Sequence, residues 1–185
     1  GGENEFTPTW LGARLSDTAH QYWYPHELSI DAYAGSSGVA LASAHVDGST
    51  TRADDFFRQL VNKLQQADLL DPRFTRGALA GTESALWAAD CYAQLVNDAA
   101  LAGQARQLLR TLAAAPSNGY DIVAGDAGMV LLMTNLVANP LNDSEQSLAA
   151  LRIVSRRLAD WVLSDRKPMS LTGYAHGTAG VGAAL

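Results

Sequence analysis

Four short glycine motifs recur along the chain, and each opens an apolar stretch. They are Gly35-Ser36-Ser37-Gly38, Gly81-Thr82-Glu83-Ser84, Gly125-Asp126-Ala127-Gly128 and Gly177-Thr178-Ala179-Gly180. From Gly35 to Gly81, Gly125 and Gly177 the steps are 46, 44 and 52 residues. A repeat of that period marks supersecondary units that cannot bury their apolar faces alone and must stack on one another. Small or aliphatic residues follow each motif: Val39-Ala40-Leu41, Ala85-Leu86-Trp87, Met129-Val130-Leu131 and Val181-Gly182-Ala183. Each interval has room for a second helix. The pattern predicts helical hairpins, with small-residue inner helices buried all round and amphipathic outer helices facing water on one side. Glycines at the inner N-termini let backbones approach closely and would leave free N–H groups at one end of the array. A closed ring and an open solenoid both satisfy it.

The intervals carry the expected second helices. Thr51 to Leu69 reads as one, with Phe56, Leu60 and Leu64 on one face and Phe57 and Val61 beside them. Thr50 or Thr51 can cap it, and Asp54 and Asp55 suit its positive first turn. Glu83 to Val96 reads as a helix. Asp98 can cap another that carries Leu101, Ala105, Leu108 and Leu112 on one face, with Pro116 beyond its end. Ala127 to Val137 is apolar almost all round and predicts burial on every side; Asn139-Pro140 stops it. Asp143 with Gln146 resembles a capping box. Leu148, Leu151, Val154, Leu158, Trp161 and Val162 then form one stripe. No stretch shows period-two alternation. The first 25 residues, with Phe6, Pro8, Trp10, Tyr22, Trp23, Tyr24 and Pro25, read as an irregular segment packed on the body or as a linker. The expectation is an irregular segment over 1–25 and an all-α domain over 26–185.

Composition narrows the function. With 185 residues and 48% hydrophobic residues the chain fits one domain with a sizeable core. A net charge of −6, a pI near 5.0 and no basic cluster argue against nucleic acid. No apolar run reaches the length of a membrane span, and no basic-then-apolar leader opens the chain. Cys91 is the single cysteine, so neither an intramolecular disulfide nor a Cys-rich zinc site can be built here. Cytoplasmic localisation is the expectation.

His176 precedes Gly177 and Asp121 lies four residues before Gly125. Both fall in loops that feed inner-helix N-termini, and in a ring such loops share one rim. Histidine suits proton transfer near neutral pH, and a helix N-terminus disfavours its cation, which makes that cation a better acid. Asp121 could orient the imidazole. The plainer alternative is a loop histidine and a capping aspartate. Asp31 holds the slot of Asp121 in the first repeat and reads as a cap. His20, His26 and His45 share no ligand spacing. Tyr33 and Tyr174 are candidate substrate-binding residues at the rim, with core packing the alternative. Cys91 reads as a buried small hydrophobe. Arg152, Arg156 and Arg157 read as a solvated face near Asp160 and Asp165.

These motifs resemble the lanthionine synthetase C-like cyclases over nearly the whole chain. Thr172 to Gly180, with Gly173-Tyr174-Ala175-His176-Gly177-Thr178-Ala179-Gly180, resembles the family's Gly-x-Ala-His-Gly-x-x-Gly signature. Asp121-Ile122-Val123-Ala124-Gly125-Asp126-Ala127-Gly128, after Tyr120, resembles its Asp-[Val/Ile]-[Ile/Val]-x-Gly-x-x-Gly element. Asp31-Ala32-Tyr33-Ala34-Gly35-Ser36-Ser37-Gly38-Val39-Ala40-Leu41 is similar to its opening element, and Pro8-Thr9-Trp10-Leu11-Gly12 to the lead-in of the class II bifunctional synthetases. Ser84 departs from the last glycine of the motif. The resemblance implies an α,α-toroid, here about half of the ring. It implies thioether ring closure on a dehydrated lanthipeptide precursor: a cysteine thiolate on zinc adds to dehydroalanine or dehydrobutyrine. A histidine then donates the proton and an aspartate assists, which places those roles on His176 and Asp121. The family's zinc ligands, two cysteines and a histidine, come later than Leu185. No zinc and no activity are therefore expected of this chain alone, and the missing half of the toroid or self-association is the expected partner. Two other classes stay open. One is a toroid glycoside hydrolase using a pair from Asp31, Asp121 and Asp126. The other is a non-catalytic scaffold that binds a peptide in the ring mouth.

Overall fold

The computed structural model describes residues 10–15, 22–47, 51–69, 76–117, 119–139, 144–164 and 171–185. Phe6, Pro8, His20, Thr50, Pro140, Asp143 and Asp165, named above, lie outside the described residues. The helices are α1 (Ser36–Asp47), α2 (Thr51–Gln66), α3 (Thr82–Leu95), α4 (Ala99–Ala114), α5 (Asp126–Ala138), α6 (Ser144–Val162) and α7 (Thr178–Ala184), and a hairpin of β1 (Leu11–Leu15) and β2 (Trp23–Glu27) precedes them. Each glycine motif opens an odd-numbered helix. Successive helices pair as hairpins, α3 with α4 and α5 with α6. Within one layer α1 meets α3 and α5 meets α7; in the other α2 meets α4 and α4 meets α6. The fold is therefore all-α, as the repeat predicts, and toroid-like, as the family resemblance implies. No helix among the described residues is long and apolar enough to cross a membrane.

The outer helices follow their apolar stripes. In α2 the buried set is Ala53, Phe56, Phe57, Leu60, Val61 and Leu64. Phe57 stacks on Tyr92 of α3, with ring centroids 4.9 Å apart. Asp98 caps α4 by accepting from the Leu101 N–H at 2.9 Å, and those contacts with that N–H hold its carboxyl below the usual range. Two expectations are corrected. In α5, Thr134 and Asn135 are exposed, so burial is not all round. In α6 the buried residues are Ser147, Ala150, Val154 and Leu158, while Leu148 and Leu151 are half-buried and Val162 is exposed. Packed on both α4 and α5, α6 puts small side chains where the backbones run closest, and hydropathy does not flag those positions.

The glycine that closes each motif is set by close approach. A Cβ on Gly128 would overlap the carbonyl oxygen of Ile122, and one on Gly180 would overlap that of Tyr174, six residues earlier in both turns. Ser84 fills this place in the second repeat. Its hydroxyl donates to the Gly81 carbonyl at 2.7 Å and accepts from the Ala32 N–H of the first turn at 3.0 Å. The departure from glycine thus ties two neighbouring turns together.

The irregular segment expected before residue 26 contains structure. Strands β1 and β2 pair antiparallel, from Leu11 opposite Glu27 to Leu15 opposite Trp23. Leu11 and Trp23 are exposed, and among the described side chains of the two strands none is buried, so they show no buried face of the kind that produces alternation, and backbone pairing decides the register. Trp10 anchors the hairpin by meeting Phe56 of α2 edge to face at 5.3 Å.

The motif glycines and an ordinary helical glycine give opposite expectations. Gly128→Ala should destabilise the chain by about 1–3 kcal/mol, because backbone cannot yield to the new methyl. Gly103→Ala, in α4 with nothing within 4 Å of its Cβ position, should stabilise by roughly 0.5–1 kcal/mol. Denaturant unfolding of both variants checks this, and equal effects would contradict the packing described.

Candidate active site

The turns before α1, α3, α5 and α7 are bonded in series by their backbones. The Tyr33 N–H donates to the Leu79 carbonyl at 3.3 Å, the Leu79 N–H to the Val123 carbonyl at 3.2 Å, and the Ile122 N–H to the Ala175 carbonyl at 3.1 Å. Tyr33, Leu79, Val123 and Ala175 each stand two residues before their motif. Equivalent residues therefore meet across the first three turns, and the last bond is offset by one residue, from Ile122 to Ala175. The last bond sets the turn of Asp121 beside the turn of His176.

His176 and Asp121, 55 residues apart, are in contact: Nδ1 of the imidazole lies 2.8 Å from Oδ2 of the carboxylate. In this arrangement Nδ1–H donates to the acid and Nε2 faces outward. The other carboxylate oxygen accepts from the Ala124 N–H at 2.7 Å. Asp121 is 19% exposed and His176 is 54% exposed, so the acid is fixed while the imidazole is open to a reactant.

Comparison within the repeat shows why only this turn builds the pair. Asp31 makes the same local bond, accepting from the Ala34 N–H at 2.8 Å. Its second oxygen is taken by the Ser29 hydroxyl. Gly119 stands where Ser29 does, so Asp121 has no hydroxyl neighbour there and its second oxygen is left for His176. The matching position in the other turns, one before the motif, holds Ala34, Ala80 and Ala124.

The free N–H groups expected at the rim are not found at α5. The N–H groups of Asp126, Ala127 and Gly128 donate to the carbonyls of Gly119, Tyr120 and Asp121. The turn caps its own helix and is held rigid by it. Tyr33 and Tyr174 are 77% and 57% exposed, so neither packs in the core. Tyr174 lies two residues before His176. Tyr33 belongs to the first turn and connects to the dyad only through Leu79 along the rim.

Asp126 and Arg157 are the residues the sequence left unpaired. Arg157 is not part of a solvated face. Its Nε donates to Asp126 Oδ2 at 2.6 Å and its Nη1 to the Ala115 carbonyl at 2.7 Å. The acid at the start of an inner helix, 1% exposed, was the available signal, because a buried carboxylate requires a cation. With Asp126 bound by an arginine and both oxygens of Asp31 engaged, the two-carboxylate arrangement of a glycoside hydrolase finds no support here.

Zinc does not fit the described residues. Among them no group of three or more His, Cys, Asp or Glu side chains could hold a metal. Cys91 lies within α3 and is half-buried rather than buried as expected; that partial burial, aided by the Asp90 charge, pushes its thiol up to about 11.

Fold and site together define a helical-hairpin toroid domain with an exposed imidazole held by a carboxylate where two inner-helix turns meet. Residues 26–185 match the family model described as lanthionine synthetase C-like protein, and the chain belongs to that family. A search of curated proteins found no match.

The Cys91 environment is directly measurable. A shift from 9.0 to about 11 leaves about a hundredth of the thiolate an ordinary cysteine holds at pH 8. Labelling by a thiol reagent should be on the order of 100-fold slower in the folded than in the unfolded chain. The folded chain retains this proton above pH 9 and the unfolded chain loses it. The contribution to stability is therefore complete below about 9 and falls as pH rises toward about 11. Equally fast labelling in both states would contradict the partly buried placement.

Proposed function

We propose that the chain serves thioether ring closure on a dehydrated precursor peptide, with His176 as the proton donor and Asp121 as its positioning residue. The contact of 2.8 Å between Nδ1 and Oδ2 carries this reading. Family membership supplies the reaction class. The peptide's cysteine thiolate forms the new C–S bond at the β-carbon of a dehydroalanine or dehydrobutyrine. The alkene π pair moves toward the neighbouring carbonyl as an enolate. His176, as imidazolium, passes its Nε2 proton to the α-carbon, and the neutral ring takes up another from solvent, which its exposure permits. Asp121 holds the tautomer with Nδ1–H inward and so fixes the orientation of the ring. Tyr174 and Tyr33 are proposed to contact the peptide along the same rim. The zinc that the family resemblance implies is proposed to be held by residues other than those described here.

In the protein that contains this chain, His176→Ala should slow ring closure by about 10²–10⁴-fold. Asp121→Asn keeps the shape, removes the charge and should cost less than the histidine variant. Mass spectrometry of a dehydrated peptide, with alkylation of the cysteines still free, reads both rates. Ring closure at the wild-type rate in His176→Ala would overturn the assignment.

A further inference from the structure

A groove of about 560 Å³ runs beside α6, away from the dyad's carboxylate, and is lined by Tyr120, Arg152, Ile153, Arg156, Arg157, Asp160, Trp161 and Ser164. Its floor is rigid: Tyr120 and Trp161 stack with centroids 4.2 Å apart and planes 13° from parallel. One wall is a row of charged residues, Arg152, Arg156 and Asp160, spaced one turn apart on α6. Arg157 is committed to Asp126. Arg152 and Arg156 are exposed and make no ion pair or hydrogen bond among the described residues. Like charges four residues apart cost a helix about 0.2–0.5 kcal/mol, and among the described residues no salt bridge reaches either arginine.

We propose that this groove binds an extended acidic peptide segment, with carboxylates at alternate residues on Arg152 and Arg156 and an apolar residue on the Tyr120–Trp161 platform. The spacing selects the occupant. Four helical residues rise about 6 Å, and side chains two apart on an extended chain are separated by about 6.6 Å. A Glu-x-Glu stretch therefore meets both guanidiniums in register. A single small anion would satisfy one of them and leave the aromatic floor uncovered. Arginine pairs with carboxylates through two N–H groups and also lies well against aromatic faces. Asp160 stands one turn beyond Arg156 and repels a third carboxylate, which limits the length of the acidic stretch at that end. On a chain of net charge −6, a local pair of uncommitted cations is a feature that a peptide partner can read. Tyr120 is bonded in sequence to Asp121, so the occupant would lie against the segment that carries the dyad's acid. That the occupant belongs to the substrate rests on the proposed ring-closure reading; the charge recognition itself does not.

The test is fluorescence anisotropy with the whole chain and a fluorescein-labelled Gly-Glu-Ala-Glu-Leu-Gly peptide. Three competitors accompany it: the Lys-for-Glu peptide, a peptide with the two Glu adjacent, and inorganic phosphate. Saturable binding is expected that weakens at least tenfold in Arg152→Glu/Arg156→Glu and, by a smaller factor, in the charge-neutral Arg152→Gln/Arg156→Gln. The alternate-Glu peptide should bind more tightly than the adjacent-Glu peptide. His176→Ala should bind it as the parent chain does, so loss of ring closure in that variant speaks only to the dyad. No saturable binding, affinity unchanged in both arginine variants, or equal competition by phosphate would overturn the proposal.

Discussion

The row of backbone hydrogen bonds between successive turns is the constraint on which the rest of this structure depends. Each turn offers the N–H or carbonyl of a residue just before its glycine motif to the next turn. A backbone bond has a fixed length, so the turns cannot drift apart as the helices behind them repack. The absence of a Cβ at Gly128 and Gly180 serves the same end, because it lets each inner helix sit on the carbonyl of its own turn. Two side chains 55 residues apart are thereby held at 2.8 Å by contacts that are almost wholly main chain. The site tolerates an exposed histidine because its position is set by the Ile122–Ala175 bond rather than by packing of the ring itself.

Charge ties the outer layer to the inner one. The C-terminal end of α4 is gripped by two arginines. Arg76 donates to the carbonyls of Leu112 and Pro116, each at 2.6 Å, and Arg157 donates to that of Ala115. Each arginine also binds an acid at the start of an inner helix, Glu83 for Arg76 and Asp126 for Arg157. The unpaired carbonyls and negative end of α4 attract the cations, while the positive ends of α3 and α5 favour the acids. Desolvation makes such buried pairs of small net value, yet losing one partner costs about 3–5 kcal/mol. Their effect is to fix which outer helix sits against which inner helix. The Arg106–Asp90 pair does the same between α4 and α3; there burial raises the Asp90 carboxyl despite the guanidinium beside it.

The same pattern separates the two arginine populations of α6. Arg157 turns inward to an acid that needs it, whereas Arg152 and Arg156 stay exposed on the groove wall and form no ion pair among the described residues, with Asp160 one turn from Arg156. The helix thus has one structural cation and two available ones within six residues. Tyr120, next in sequence to Asp121, stacks on Trp161 of the same helix as these arginines.

The sequence by itself determined the repeat, the helices and the two residues of the dyad. Glycine spacing and apolar period are local properties, legible wherever a residue's own neighbours decide its conformation, as for the Asp98 cap and the α2 stripe. It did not determine the β1–β2 hairpin, whose described side chains are half-buried or exposed and so write no alternation. Nor did it determine the buried small residues Ser147 and Ala150, or the pairing of Arg157 with Asp126 across 31 residues. The meeting of His176 with Asp121 was foreseen from their places in equivalent turns. Only the tertiary structure decided the 2.8 Å contact and the reason it is free to form, the exchange of a serine at 29 for a glycine at 119. Such choices depend on distances between segments far apart in the chain, which close packing and backbone bonding set and local sequence does not encode.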